Sequence, residues 1–333
     1  MTKTYRRIVA LAVAGILAAA LGAGLAFARP TAAPIGSGVA VIETNLGYQG
    51  GAAAGTGIVL TKSGEVLTNN HVIRGATQVR IVLPGTGRSY SAKVLGYSVT
   101  NDVALLQASG ASNLKTSTLD TSTRLATGQT VTALGNAGGT GSFTSSTGQI
   151  TGLGRSITVG DEQGGSQRLS GLIETNAHLQ PGDSGGPLLN KARKVIGMNT
   201  AASTGSEFGF ASAQSDGYAI PIRKARTIAS QIEAGKSSAT VHIGGTAFLG
   251  VEIDTSYGGA LIAGVLTGGP ADAAGLVEGD VITAIDGQAV STPNAIASLL
   301  LSEKPGQHVT VSFVDQSGVA GTASVVLGSG PPQ

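Results

Sequence analysis

Three short motifs contain the side-chain types that acyl transfer requires. A serine hydroxyl is a weak nucleophile until an imidazole accepts its proton, and a carboxylate on the other ring nitrogen fixes the imidazole tautomer. One candidate for each group lies in the segments Thr68–Ile73, Asn101–Leu106 and Pro181–Leu188. The candidates are His71, Asp102 and Ser184.

Glycines flank the candidate serine in Pro181–Leu188. They permit a tight backbone that can aim two N–H groups at one point, where negative charge develops on a substrate oxygen. The backbone amides of Gly182 and Ser184 are the natural donors for such an oxyanion hole.

The order His, Asp, Ser with these local sequences resembles trypsin-like serine proteases. More narrowly, the chain resembles the HtrA/Deg family of exported proteases with a C-terminal PDZ domain, over about residues 36–330. Further segments that fit this family are Gly55–Ile58, Gly152–Arg155, Glu174–Ala177 and Gly217–Pro221. The resemblance implies that His71 is the general base, that Asp102 orients it and that Ser184 is the nucleophile.

Asp183 departs from the pattern of many HtrA-type sequences, which have asparagine there. Digestive trypsin-like enzymes have aspartate there, paired with a newly freed N-terminus, but this chain contains no Ile-Val-Gly-Gly activation site. We therefore expect Asp183 to find another partner or to be partly solvated; the simplest interpretation is a hydrated loop carboxylate.

The resemblance also places five residues in a substrate pocket: His178, Leu179, Asn199, Thr200 and Ala219. His178 is equally well explained as a loop residue. None of the candidates is acidic, so a strict preference for Lys or Arg is not expected. The family tends to cleave after small or medium aliphatic residues in unfolded chains.

The C-terminal region resembles a PDZ domain, because Gly269–Ile282 matches the bacterial PDZ signature. Such a domain adds an extended peptide to a sheet edge and holds the peptide's terminal carboxylate with loop amides. The resemblance assigns peptide contacts to Phe248, Leu249, Gly250, Val251, Ile296 and Leu299. The alternative for the helix residues Ile296, Leu299 and Leu300 is the core, and we expect two of the three to belong to it.

Short apolar runs separated by Gly, Asn, Ser and Thr predict strands between residues 39 and 219. Examples are Gly57–Leu60, Val79–Leu83, Gln129–Leu134 and Lys194–Met198. Apolar residues at spacings of three and four predict a helix from Pro221 to about Gly235, namely Ile222, Ala225, Ile228, Ala229 and Ile232. In the C-terminal region we expect a tight turn at Asp286-Gly287, a helix from Thr292-Pro293 to about Leu301 and a loose tail over 328–333.

These features predict a mostly β protein: a two-barrel chymotrypsin-like protease domain followed by a PDZ domain, with an N-terminal export or anchor segment. We expect a signal peptide or anchor at 1–28, a linker at 29–38, the protease domain at 39–235, a second linker at 236–245 and the PDZ domain at 246–330.

The N-terminus has the pattern of an export signal. Residues 1–7 are basic, and residues 8–28 contain no charge and would span about 31 Å as a helix, close to the bilayer core. The sequence Ala26-Phe27-Ala28 is a cleavage pattern. A retained anchor and a cleaved signal both remain open, and both predict an extracytoplasmic protein whose membrane contact is confined to residues 8–28.

Composition excludes several other classes. The 333 residues include no cysteine, only four histidines and a net charge of +2, which argues against cysteine catalysis, a zinc protease and nucleic-acid binding. Gly55-x-Gly57 lacks the third glycine of a nucleotide loop. We expect no metal or other cofactor.

The sequence therefore predicts an exported serine endopeptidase for unfolded or damaged proteins. Its expected partners are substrate chains and peptide C-termini; the latter are expected to bind the PDZ domain and to raise activity, and the resemblance also implies a homotrimer. The alternative is a PDZ-bearing chaperone or binding protein whose protease domain is inactive at rest.

Overall fold

The computed structural model describes residues 36–122, 124–160, 166–202, 217–254 and 259–333. The predicted export segment, 1–28, and most of the predicted linker at 29–38 lie outside the described residues. None of the helices in the described part of the chain has the length and apolar character of a membrane span.

Six of the seven strands of the first antiparallel sheet follow one another in the order β5-β4-β1-β2-β3-β6, and an additional β5–β6 pairing closes these six into a ring. The strands are β1 (Val39–Leu46), β2 (Gly51–Val59), β3 (Glu65–Thr68), β4 (Gln78–Leu83), β5 (Arg88–Ser98) and β6 (Val103–Ala108). A short helix, α1 (Asn70–Ile73), follows β3. Ile42, Ile81 and Leu106 belong to the fully buried core that this sheet encloses.

A second set of six strands forms a closed barrel in the order β10-β11-β12-β9-β8-β7. The strands are β7 (Thr130–Gly135), β8 (Thr144–Gly160), β9 (Ser166–Thr175), β10 (Pro187–Asn190), β11 (Val195–Ala202) and β12 (Gly217–Pro221). A 3-10 turn, Ala137–Gly139, lies between β7 and β8. The loop between β9 and β10 contains Ser184, so this barrel positions the candidate nucleophile.

The predicted helix after Pro221 is confirmed as α2 (Ile222–Glu233). All five residues of its predicted apolar face are buried, and they pack into a core that also contains Ile58 and Val103 of the first barrel and Met198 of the second. Gly235 ends the helix with a φ of +65°, a left-handed conformation that glycine adopts without a steric penalty.

The C-terminal region is built from short strands around its own apolar core. Its elements are β13 (His242–Ile243), β14 (Thr246–Phe248), β15 (Val251–Ile253), β16 (Ile262–Val265), α3 (Pro270–Ala273), β17 (Val281–Ile285), β18 (Gln288–Ala289), α4 (Pro293–Leu300), β19 (His308–Val314), β20 (Ala320–Val326) and β21 (Gly328–Gly330). Two predictions are confirmed here: Asp286 and Gly287 make the turn with positive φ, and the Thr292 hydroxyl accepts from Ala295 N at the start of α4.

Two segments are more ordered than the sequence predicted. The segment 236–245 contains β13, which pairs with β5 of the first barrel. The tail over 328–333 is not loose: β21 pairs with β14, and Pro332 O accepts from Gly75 N at 2.8 Å. Backbone pairing with partners distant in sequence leaves no local signal, so composition alone suggested loops.

Tyr97 of β5 provides a test of how the first barrel is joined to the C-terminal region. Its fully buried hydroxyl lies 2.9 Å from Thr246 Oγ1 and accepts from Gln333 N at 3.3 Å. Tyr97→Phe leaves two polar groups without this partner, so we expect a loss of about 1–2 kcal/mol in unfolding free energy by denaturant titration.

Tyr90→Phe is the matched control, because the buried Tyr90 hydroxyl has no hydrogen-bond partner within the described residues. We expect that variant to change the unfolding free energy by less than about 0.5 kcal/mol or to stabilise the chain. Equal losses in both variants would show that the Tyr97 hydroxyl does not join the two regions.

Candidate active site

The carboxylate of Asp102 lies at the centre of the site and is 4% exposed. It accepts from His71 N at 3.0 Å and from His71 Nδ1 at 2.9 Å, and the hydroxyl of Thr200 donates to Oδ2. Asp102 directly precedes β6 and has a φ of +53°, which is uncommon for a residue other than glycine. Its backbone is held by Asn69 Nδ2, which donates to Asp102 O at 2.9 Å.

His71 lies in α1, and 42% of its side chain is exposed. Because an ionised carboxylate can only accept, Nδ1 carries the proton toward Asp102 and Nε2 is left as the acceptor. Desolvation lowers the pKa of His71 and Arg74 adds to that effect, but the charge and the hydrogen bond of Asp102 outweigh both, so the pKa is raised above its ordinary value.

Ser184 is linked to the same cluster through Thr200. Its hydroxyl donates to Thr200 O at 3.4 Å, while the Thr200 side chain contacts Asp102. Among the described residues, Ser184 Oγ makes no hydrogen bond with the His71 ring. The structure therefore gathers the three predicted residues around one threonine of β11, with the serine hydroxyl turned toward a backbone carbonyl.

The loop that contains Ser184 is crowded against the second barrel. Gly182 has a φ of +97°, and a Cβ there would lie 2.1 Å from Asn136 O, so only glycine fits. Pro181 O accepts from Gly138 N at 2.8 Å. Within the described part of the chain, neither Gly182 N nor Ser184 N donates to a protein acceptor, so both amides are available to a ligand.

Asp183 is buried, being 6% exposed, so the interpretation as a hydrated carboxylate is wrong, and the partner it finds instead is a backbone amide. Its side chain lies against Gly135, where no Cβ fills the space. Oδ2 accepts from Gln180 N at 2.9 Å, whereas Oδ1 has no partner among the described residues. Burial raises the pKa of the Asp183 carboxyl, and the bond from Gln180 only partly offsets that.

The residues predicted to form the substrate pocket fall into different environments. Leu179 and Ala219 are buried in one apolar cluster, and His178 is exposed. Asn199 is fully buried and its amide donates to Leu134 O at 3.3 Å, while Thr200 supports Asp102. Residues 203–216, which follow β11, lie outside the described residues.

The predicted peptide contacts of the C-terminal region surround the start of β15. Gly250 turns the chain with a φ of +80°, and Leu249 and Ile296 are buried in the local core. The Phe248 ring stacks on Tyr48 of the first barrel, 5.4 Å between centroids. Val251 is half-buried in β15, and Leu299 is half-buried on α4 and packs against the same core.

The sequence did not predict the roles of two residues at the site. Thr200 was expected in the pocket rather than at Asp102, and no motif pointed to Thr56, whose hydroxyl donates to Gly182 O at 2.7 Å. No sequence pattern marks a hydroxyl whose partner is distant along the chain. Within the described residues, no three His, Asp or Glu side chains cluster as a metal site.

Two family models match the chain: a trypsin-like peptidase domain over residues 55–198 and a PDZ domain over residues 261–314. The serine protease PepD of Mycobacterium tuberculosis is 34% identical over 89% of this chain and 65% of its own length. The protease Do-like HtrA of Lactococcus lactis is 32% identical over 82% of this chain and 70% of its own.

The periplasmic pH-dependent endoprotease DegQ of Escherichia coli is 34% identical over 78% of this chain and 56% of its own length. The chain thus spans less than two thirds of the length of PepD and DegQ. Among solved structures, the HtrA-type protease AlgW with a tripeptide is 29% identical, with a TM-score of 0.50 over 90% of this chain and 95% of that chain.

The burial of Asp183 predicts a pH-dependent gain in stability for Asp183→Asn. Because the pKa of the carboxyl is raised in the folded state, folding loses stability as pH rises through that pKa. The neutral amide removes this loss. Denaturant titration gives the change in unfolding free energy caused by Asp183→Asn at each pH. We expect this change to be more stabilising at pH 8 than at pH 4, by about 1 kcal/mol or more.

Glu278→Gln is the matched control, since it makes the same chemical change at an exposed carboxylate. Its effect should differ little between the two pH values. A pH-independent effect of Asp183→Asn would contradict the assignment of a destabilised carboxylate.

Proposed function

Because this chain belongs to the HtrA family of trypsin-like serine proteases with a PDZ domain, we propose that it is an extracytoplasmic serine endopeptidase acting on unfolded or damaged proteins. The observation that carries the proposal is the cluster in which Asp102 holds the His71 ring and Thr200 joins Asp102 to Ser184. The periplasmic assignment in the name of DegQ supports the location.

The proposed roles are supported by the geometry around Asp102 and are those that peptide-bond chemistry requires. After the Ser184 side chain rotates from Thr200 O toward the imidazole, Oγ attacks the substrate carbonyl carbon and its proton passes to His71 Nε2. The amides of Gly182 and Ser184 donate to the resulting oxyanion. The C–N bond then breaks as His71 gives the proton to the leaving amine, and water releases the acyl group by the same steps.

The first specificity subsite of this proposal lies between Ser184 and β12. His178, Leu179, Asn199, Thr200 and Ala219 remain the proposed lining. Leu179 and Ala219 share an apolar cluster, which favours aliphatic substrate side chains over charged ones.

The C-terminal region is proposed to bind peptide C-termini. The outer edge of β15 is unpaired within the described residues, because β15 pairs only with β16 there. At its start, the amides of Leu249 and Gly250 donate to no acceptor in the described part of the chain. Two free amides beside a free strand edge suit an extended peptide that ends in a carboxylate. Phe248, Val251, Ile296 and Leu299 complete the proposed contacts.

The remaining parts of the proposal rest on the sequence and the resemblance. They are domains at 39–235 and 246–330 separated by the segment 236–245, export directed by residues 1–28, membrane contact only through residues 8–28, and assembly as a homotrimer.

Ser184→Ala tests the catalytic assignment. We expect cleavage of unfolded casein by the full chain to fall by roughly 10³-fold or more, since the nucleophile is removed. Ser142→Ala, at an exposed serine between β7 and β8, should leave cleavage unchanged. Undiminished cleavage by Ser184→Ala would end the assignment.

Cleavage by the parent chain should decline as pH falls through the raised pKa of His71, because the protonated ring cannot accept the serine proton.

Peptide binding is tested with one peptide in two forms. A fluorescent peptide with an apolar C-terminal residue and a free carboxylate should bind and raise casein cleavage. The same peptide with an amidated C-terminus should bind at least about tenfold more weakly, because it cannot make charge-assisted hydrogen bonds with the loop amides. Equal anisotropy titrations for both forms would contradict the carboxylate site.

A further inference from the structure

A buried threonine of the first barrel contacts the Ser184 loop at both residues whose amides form the proposed oxyanion hole. Thr56 lies in β2 and is fully buried. Its hydroxyl donates to Gly182 O at 2.7 Å, and its backbone N donates to Ser184 O at 2.8 Å. No other strand of the first barrel makes a hydrogen bond with these two residues among those described.

The Thr56 hydroxyl both donates and accepts a hydrogen bond. Asn136 N donates to it at 2.9 Å while it donates to Gly182 O, so it joins the loop after β7 to the Ser184 loop. A hydroxyl can accept and donate at once, whereas the isosteric valine can do neither. Because Thr56 is fully buried, water has no direct access to replace it.

These contacts fix the two peptide planes on either side of the Gly182 α-carbon. In a trans peptide the N–H points away from the preceding carbonyl. Gly138 N holds Pro181 O, which directs Gly182 N–H to the opposite side, where no acceptor of the described chain meets it. The Thr56 hydroxyl holds the next carbonyl, Gly182 O. Glycine has the freest backbone, so restraint on both planes is needed to keep its amide in one direction.

The same threonine is anchored to the strand that leads to the candidate base. Thr68 Oγ1 donates to Thr56 O at 2.7 Å, and Thr68 ends β3 three residues before His71. A Cβ on Gly185 would lie 2.0 Å from Thr56 O, so the serine loop closes directly on this pair. These contacts thus fix the position of the Gly182 and Ser184 amides relative to β3, the strand that leads to His71.

We propose that Thr56 is a positioning residue for hydrolysis: its hydroxyl restrains the peptide plane that follows the Gly182 α-carbon and, together with the Gly138 bond to Pro181 O, keeps the Gly182 amide directed at the oxyanion. It touches neither substrate nor reacting atoms. This inference rests on the proposed function, because it requires Gly182 N to donate to the tetrahedral intermediate. Its effect belongs to the transition state, since a substrate carbonyl receives weaker bonds than the oxyanion.

The test compares Thr56→Val with Thr56→Ser in the full chain, using a chromogenic peptide substrate. Thr56→Val should lower kcat by about 10- to 100-fold, less than the outright loss of an oxyanion donor, and change KM by less than about twofold. A peptide boronate, which forms a tetrahedral adduct on Ser184, should bind more weakly by the same factor as kcat. A non-reactive product peptide should bind equally well. Thr56→Ser keeps the hydroxyl and should retain kcat within about threefold.

Thr44→Val is the matched control. Thr44 is also buried in the first barrel, but its hydroxyl donates to Ala53 O at 3.2 Å rather than to the serine loop. It should lose stability without the loss in kcat. If Thr56→Val does not fold at the assay temperature, Thr56→Ala removes the same hydroxyl, and the comparison is made where thermal melting shows it folded.

The outcomes distinguish the role of Thr56 from the proposed protease activity. Three results would overturn the role of Thr56: an unchanged kcat in Thr56→Val or Thr56→Ala, an equal loss of kcat in Thr44→Val, or a kcat in Thr56→Ser as low as in Thr56→Val. In each case, loss of activity in Ser184→Ala would still support the catalytic assignment. Full activity of Ser184→Ala would instead overturn the proposed function itself.

Discussion

An ionised carboxylate removed from water must be surrounded by donors, because an uncompensated buried charge costs several kcal/mol. Asp102 meets this requirement with the amide and ring of His71 and the hydroxyl of Thr200. The first two donors come from α1 and the third from β11, so one charge joins elements of both barrels. The orientation of the His71 ring and the nearness of Ser184 both follow from it.

The second constraint is space around the serine loop. Positions 182 and 185 lie so close to backbone atoms of neighbouring segments that a Cβ could not be accommodated. The loop can therefore present two free amides only because glycines let it approach Asn136 and Thr56. Asp183 is carried inward by the same turn, and its carboxylate is buried with one oxygen unpaired among the described residues. The same turn therefore both buries the Asp183 carboxylate and leaves the amides of Gly182 and Ser184 available to a ligand.

Local pattern and motif were enough to predict much of this. The strands, the apolar face of α2, the Asp286-Gly287 turn and the gathering of His71, Asp102 and Ser184 near one another all carried signals within a few residues. The pairings of Thr56 and Thr200, the strand at His242–Ile243 and the burial of Asp183 did not. Each depends on register between segments far apart in sequence, and a hydroxyl or carboxylate looks the same in sequence whether its partner is water or a distant backbone.

The close fit at Gly182 also has a consequence for how turnover can be altered. Any side chain added at that position meets the Asn136 carbonyl, so position 182 itself cannot be varied. Substitutions in the first barrel, at residues that do not contact the substrate, can instead change the turnover rate in small steps. Libraries aimed at tuning rate while preserving selectivity would therefore be most productive on the inward-facing positions of β2 and β3.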